Sequence, residues 1–380
     1  MSRSFHDRLA DLARSAGSPK PDRLDMERRV SRRRGRKRLG AGIAAVVIAL
    51  AIVAPLKSLS GINTTPSSGG AATQGYIAVA KHQGDNYGIW LVLPDGTDLH
   101  QVPLPVQAID PAWSPDGSQI AFAGGEERNT ESYNIYLVQP DGQGLQRLTN
   151  SPVHEISTDP SWSPDGRQLV FSHLHDGHNQ LVVLTLADGA ERTIPLPQDF
   201  FQAFTPAWSP DGSKIAFAAN RGGIVGLYVV NADGTNLHLS FFPSAAGDGV
   251  NPSPAWSPDG SQIAVANEGD IYVISATGTD VRRLTDAPEV DTAPTWSPDG
   301  SQIAFLSGRL RPQTPCSFPN SASPDPTSDV CQAMNEIAHQ SIRDLDLFMM
   351  DANGANQHPV TEGGGIGYSP FAASAPSWQP

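Results

Sequence analysis

Short apolar runs recur through residues 75–380, each bounded by Gly, Pro, Asp or Asn. One stretch, PAWSPDGSQIAF at 111–122, sets the pattern. It returns as PSWSPDGRQLVF from Pro160, PAWSPDGSKIAF from Pro206, PAWSPDGSQIAV from Pro254 and PTWSPDGSQIAF from Pro294. In the first copy, period-two alternation puts Ile120 and Phe122 on one face and Ala121 on the other, as in a half-buried strand. Ser-Pro-Asp-Gly between the two apolar segments predicts a tight turn: Pro presets φ and Gly accepts the left-handed conformation. A second half-repeat follows: IWLVLPDGTDLHQV from Ile89, IYLVQPDGQGLQRLT from Ile135, LVVLTLADGAERTI from Leu181, LYVVNADGTNLHLS from Leu227, IYVISATGTDVRRLT from Ile271 and LFMMDANGANQHPVT from Leu347. Each copy is a β-branched or aromatic run, a turn at Asp-Gly, Thr-Gly or Asn-Gly, and a further strand, which is a hairpin pattern.

A full repeat therefore holds four short antiparallel strands, the content of one propeller blade. The tryptophans at 113, 162, 208, 256 and 296 are 49, 46, 48 and 40 residues apart, a period typical of repeat architectures. There are six second halves and five complete first halves. The first blade begins late, with GYIAVAK at Gly75, and its missing Pro-x-Trp strand stands at 376–380 as PSWQP. The predicted fold is all-β: a six-bladed β-propeller of four-stranded blades, closed by the C-terminal strand completing the first blade. Closure of this kind removes two exposed sheet edges.

The pattern Pro-x-Trp-Ser-Pro-Asp-Gly, Ile-Ala-Phe, Ile-Tyr-Val, Asp-Gly, Arg-Leu-Thr resembles the TolB-type six-bladed propeller family across residues 75–380. That resemblance implies a six-bladed propeller lying outside the cytoplasm. It also implies an acid facing the channel shortly before the Pro-x-Trp strand. Asp291 matches that position, Asn251 only roughly, and Ala108, Ser157, Ala203 and Ala373 depart from it. A channel-bound ion is the one cofactor this leaves room for; no other cofactor is expected.

Charge divides the chain. Residues 1–57 carry 14 Lys+Arg and 5 Asp+Glu, a net +9, whereas residues 58–380 carry a net −22. Arg32, Arg33, Arg34, Arg36, Lys37 and Arg38 end a basic tail at 1–38. The next segment, LGAGIAAVVIALAIVAPL, runs from Leu39 to Leu56 without a charge and is followed by Lys57. Its 18 residues reach the lower limit for a membrane-spanning helix. Basic residues stay on the cytoplasmic side, so the segment predicts a single-pass anchor with the N-terminus inside and the propeller outside. A cleaved signal peptide is the rival reading, but its n-region would be unusually long. Residues 57–74 are Ser/Thr/Gly-rich and read as a flexible linker. The acidic domain disfavours nucleic acid, which needs a positive footprint.

Antiparallel order places all Ser-Pro-Asp-Gly and Asp-Gly turns on one rim. The longer connections, read at 82–88, 126–133, 172–180, 195–205, 241–253, 306–343 (an insertion) and 362–375, share the other. Variable loops on a rigid scaffold carry binding, so the long-loop rim is the expected interaction surface. His173, His175 and His178 crowd one hairpin there, and Phe200, Phe201 and Phe204 form an apolar cluster on the next connection. The histidines match no zinc spacing, and a solvated hairpin is the expectation for them. The chain's only cysteines, Cys316 and Cys331, lie in the insertion and are expected to form a disulfide in an oxidising compartment. Asp116, Asp165, Asp211, Asp259 and Asp299 repeat at one turn position and read as structural caps rather than catalytic acids.

Three functions fit the sequence. The leading one is a monomeric, membrane-anchored module that binds a protein, peptide or glycan of the cell envelope through its long-loop rim. The second is a hydrolase or lyase acting on an envelope polymer; no catalytic constellation or G-x-S-x-G supports it. The third is a sensor signalling through the short cytoplasmic tail.

Overall fold

The computed structural model of the protein describes residues 75–83, 86–125, 132–241, 252–309, 345–362, 366 and 375–380. The tail, the apolar segment 39–56, the linker, Asn251, Cys316 and Cys331 lie outside the described residues.

Six four-stranded antiparallel sheets form the blades. Blade 1 orders β24 (Ser377–Trp378), β1 (Ile77–Gln83), β2 (Asn86–Val92) and β3 (His100–Gln101). Blade 2 is β4 (Gln107–Trp113), β5 (Ile120–Gly125), β6 (Asn134–Val138) and β7 (Gln146–Arg147). Blade 3 is β8 (Ile156–Trp162), β9 (Gln168–His175), β10 (His178–Thr185) and β11 (Glu191–Thr193). Blade 4 is β12 (Phe200–Trp208), β13 (Lys214–Arg221), β14 (Ile224–Asn231) and β15 (His238–Phe241). Blade 5 is β16 (Ala255–Trp256), β17 (Gln262–Asn267), β18 (Asp270–Ser275) and β19 (Arg282–Arg283). Blade 6 is β20 (Asp291–Trp296), β21 (Gln302–Ser307), β22 (Asp346–Asp351) and β23 (His358–Pro359).

The ring closes as the leftover half-repeats require. Ile77 pairs with Trp378 and Ala78 with Ser377. The Gln379 N–H donates to the Tyr76 carbonyl at 2.7 Å, and the Ser377 hydroxyl accepts the Trp113 N–H of blade 2 at 3.0 Å.

Among the described residues, an apolar layer fills each junction between neighbouring blades, with a further small cluster of Ala80, Ile109, Ala123 and Tyr133 between blades 1 and 2. Ile120 and Phe122 pack back against Ile89 and Leu91 of blade 1, whereas Ala121 faces forward to Trp162 and Leu169 of blade 3. The same division holds for Ile215, Phe217 and Ala216 in blade 4, and for Ile303, Phe305 and Ala304 in blade 6. Strand alternation thus presents large residues to the preceding blade. It leaves a small alanine where the next blade's tryptophan must fit, as close packing of unequal side chains requires.

The Ser-Pro-Asp-Gly turns satisfy themselves. The Ser114 hydroxyl donates to Asp116 Oδ1 at 2.6 Å and accepts the Gln119 N–H at 2.9 Å. Asp116 also accepts the Ser118 N–H at 3.1 Å, and Gly117 takes φ +68°. Asp165, Asp211, Asp259 and Asp299 make the matching serine contact at 2.6–2.7 Å. These donors hold the turn carboxylates below their usual range, Asp116 and Asp211 to about 2.

Three connections are shorter than the sequence pattern implies. β9 runs to His175 and β10 starts at His178, so 172–180 is strand apart from Asp176 and Gly177. Both turn residues have positive φ, +49° and +77°, the geometry that matches the twist of a two-residue hairpin. Likewise β1 extends to Gln83 and β12 begins at Phe200, so most of 82–88 and the end of 195–205 are strand.

Candidate binding surface

The first strand of each blade, β24, β4, β8, β12, β16 and β20, has a sheet partner on one side only and lines the central channel. An edge of this kind would leave N–H groups unpaired in the channel. Pro111, Pro160, Pro206, Pro254, Pro294 and Pro376 remove that donor at equivalent positions. Together with the Pro-x-Trp neighbours they line a cavity of about 330 Å³ where the channel opens on the tight-turn rim.

One residue earlier, the chain bulges. Register shifts fall between Ile109 and Ala112, Thr158 and Ser161, Phe204 and Ala207, and Thr292 and Thr295. Asp110, Asp159, Thr205 and Ala293 sit in these bulges with φ between +49° and +53°. Positive φ is tolerated by aspartate but strained for β-branched threonine. In two of these four blades the N–H freed by the bulge is taken up by the aspartate of the previous blade. Asp110 Oδ2 accepts the Asp159 N–H at 3.4 Å, and Asp159 Oδ2 accepts the Thr205 N–H at 3.4 Å. Asp159 is half-buried in the channel wall, and burial pushes its carboxyl up to about 6 against the opposing bonds from Thr205 and Thr158. Neither Asp110 nor Asp159 is found by looking for an acid at the position of Asp291. The dipeptide Asp-Pro opening DPAW and DPSW is the signal that marks them.

Asp291 itself is fully buried. It accepts from the Ser307 hydroxyl at 2.6 Å and pairs with Arg309, whose guanidinium lies over Phe305 and Phe348. Burial raises the Asp291 pKa, opposed by Ser307 and Arg309. Thr285, between blades 5 and 6, also bonds the carboxylate, and the Asp291 N–H donates to the Gly269 carbonyl of blade 5 at 2.9 Å, so its partners come from both blades.

The phenylalanines separate. Phe200 is buried edge-on against Tyr228 at 4.8 Å, with Arg221 over its ring, and Phe204 is buried too. Phe201 points away from the core and is 50% exposed. Ile224, at the tip of the β13–β14 hairpin, is 36% exposed, and Val153, in the connection into blade 3, is 58% exposed. These three share the long-loop rim; Leu99 and Val281, the other large exposed apolar residues among those described, sit in turns of the opposite rim.

The histidines separate as well. His173 and His175, two apart on β9, lie on one face with rings stacked 6.1 Å apart. Glu155, from the connection before β8, reaches both: Oε1 is 2.7 Å from His175 Nδ1 and Oε2 is 3.3 Å from His173 Nε2. Glu155 and Asp176 raise the His175 pKa. His178 pairs across the hairpin from His175 and is exposed.

Comparison with known proteins adds a family context. A model of the TolB beta propeller domain matches residues 99–203 and 243–315. The Tol-Pal system protein TolB of Nitratidesulfovibrio vulgaris is 42% identical over 55 residues, 14% of this chain and 12% of that protein's own length. The crystal structure of TolB from Acinetobacter baumannii superposes with a TM-score of 0.58 at 19% identity, covering 80% of this chain and 67% of that one. A putative TolB from Agrobacterium tumefaciens gives 0.52 at 20% identity, over 78% and 91% of the respective chains.

Proposed function

Since this chain carries a TolB-type six-bladed β-propeller, we propose that it is a binding scaffold holding a protein partner on its long-loop rim, outside the cytoplasmic membrane. The observation that carries this reading is the asymmetry between the rims. On the tight-turn rim, serine and aspartate side chains close each Ser-Pro-Asp-Gly turn on itself. The long-loop rim presents Val153, Phe201 and Ile224 together at the adjoining blades 3 and 4, whereas the exposed Leu99 and Val281 of the other rim stand apart on blades 1 and 5. Exposed apolar side chains ringed by polar groups suit a protein interface. The matched relative is a component of the Tol-Pal system, which favours a partner in the cell envelope. The basic tail and the apolar segment 39–56 support a single-pass anchor, with residues 57–74 as the tether.

The test is a photo-crosslinking residue placed at Phe201 or, separately, at Leu99 on the opposite rim, in the full-length protein in intact cells. A discrete protein adduct from position 201 and none from position 99 is expected. Adducts from position 99 alone, or the same adducts from both, would contradict the reading.

A further inference from the structure

We propose that Glu155, His173 and His175 form a zinc site on the long-loop rim of blade 3. Sequence spacing hides this site, because the third ligand comes from a different connection. Glu155 lies 18 residues before His173 and reaches it only because β8 and β9 pair, with Ser157 opposite His173. A turn closed by the Glu155 N–H to the Pro152 carbonyl at 3.0 Å sets where the glutamate begins.

Three features favour a metal over a chance cluster. The first is spacing. A tetrahedral zinc ion with bonds of about 2.0–2.1 Å keeps its ligand atoms about 3.3 Å apart. Here the carboxylate oxygens lie 2.7 and 3.3 Å from the two imidazole nitrogens, and one ligand atom from each residue falls within 4.8 Å of the others. Small side-chain rotations bring the three onto one ion.

The second feature is the way the His173 imidazole is held from behind. The Ser157 hydroxyl, fully buried and joined to the Ser151 hydroxyl at 3.1 Å, contacts His173 Nδ1 at 3.0 Å. That leaves Nε2 facing Glu155. His175 turns Nδ1 to Glu155, and the exposed Asp176 lies beside its other nitrogen, Oδ2 at 3.5 Å from Nε2. Metal-binding histidines characteristically have the second nitrogen anchored by an outer partner, which fixes the tautomer and the ring plane.

The third feature is the donor set. Two imidazoles and one carboxylate are a donor set that Zn²⁺ takes in sites with an open fourth position. His175 is half-exposed, so a fourth position opens to solvent and accepts water or a donor from a docked partner.

Full-length protein stripped with a chelator and titrated with Zn²⁺ by calorimetry tests the site, with Co²⁺ absorption as a second readout. One equivalent is expected to bind, with a tetrahedral Co²⁺ spectrum. His175→Ala and Glu155→Gln should each weaken Zn²⁺ by roughly tenfold or more, given the loss of one of three ligands. His178→Ala should leave the affinity unchanged. Substoichiometric binding, or binding that either ligand variant retains, would overturn the proposal. So would an equal loss in His178→Ala.

Discussion

The indole N–H of Trp162 donates to the carbonyl of Ala112, in the neighbouring blade, at 3.0 Å. Trp256 does the same to Ala207 at 3.1 Å and Trp296 to Ala255 at 3.2 Å. Each bond joins the first strand of one blade to the first strand of the blade before it. Where the middle residue of Pro-x-Trp is serine, the bond changes: the Ser161 hydroxyl accepts the Trp208 backbone N–H at 3.1 Å, and Ser377 accepts that of Trp113. The indole nitrogens of Trp208 and Trp113 are then buried with no acceptor among the described residues.

This difference gives a paired prediction. Trp162→Phe and Trp208→Phe remove nearly the same apolar surface, but only the first breaks an indole hydrogen bond. Trp162→Phe should therefore be the more destabilising by about 1 kcal/mol, the usual net value of one hydrogen bond. Midpoints of urea unfolding, compared at equal m-value, measure it. Equal midpoints would remove the indole bond from the account of blade cohesion.

Ring closure rests on few residues. Removing 376–380 deletes β24, exposes the edge of β1 and strips Trp113 of its Ser377 partner. A large loss of thermal stability and concentration-dependent association are expected, because an unpaired strand edge templates pairing with other chains. Differential scanning fluorimetry and light scattering of the truncated protein check this; an unchanged monomer would argue that the ring closes without the strand.

Two kinds of aspartate should respond to pH with opposite sign. Asp211 is held at about 2 when folded, below its value in an unfolded chain. Its contribution is present above about pH 4 and is lost as pH falls toward 2, so the deficit of Asp211→Asn at neutral pH should shrink in acid. Asp159 is raised to about 6. The native state then binds more protons than the unfolded state between about pH 4 and 6, and stability rises as pH falls through that window. Asp159→Asn should flatten that slope and stabilise the protein at pH 7. Thermal melts of both variants from pH 3 to 8 would measure it, and a shared slope with wild type would contradict the assignment.

What the sequence disclosed follows from what repeats. Tryptophan, the Ser-Pro-Asp-Gly turn and Ile-Ala-Phe recur because every blade solves the same packing and turn problem, so the blade count and the closure by Trp378 are legible. The self-capping aspartates are legible for the same reason. Features that cross between elements are not. Glu155 meets His173 and His175 only after two strands pair, and no periodicity encodes that meeting. Asp110 and Asp159 owe their place to a bulge, which shifts them relative to the alternation that a sequence reading follows. Phe200, Phe201 and Phe204 read as one apolar cluster in the sequence, yet strand pleating and a further register shift, between Phe200 and Gln202, bury Phe200 and Phe204 and expose Phe201.

Phe201 therefore offers the most direct test of the long-loop rim as the interaction surface. Once a crosslinked partner is identified, its affinity for wild-type protein and for Phe201→Glu can be compared by titration, alongside the melting temperature of each. The exposed side chain contributes little to the core, so the melting temperature should be unchanged. Loss of a central aromatic contact should weaken the partner by roughly tenfold or more. An unchanged affinity at an unchanged melting temperature would contradict binding through this rim.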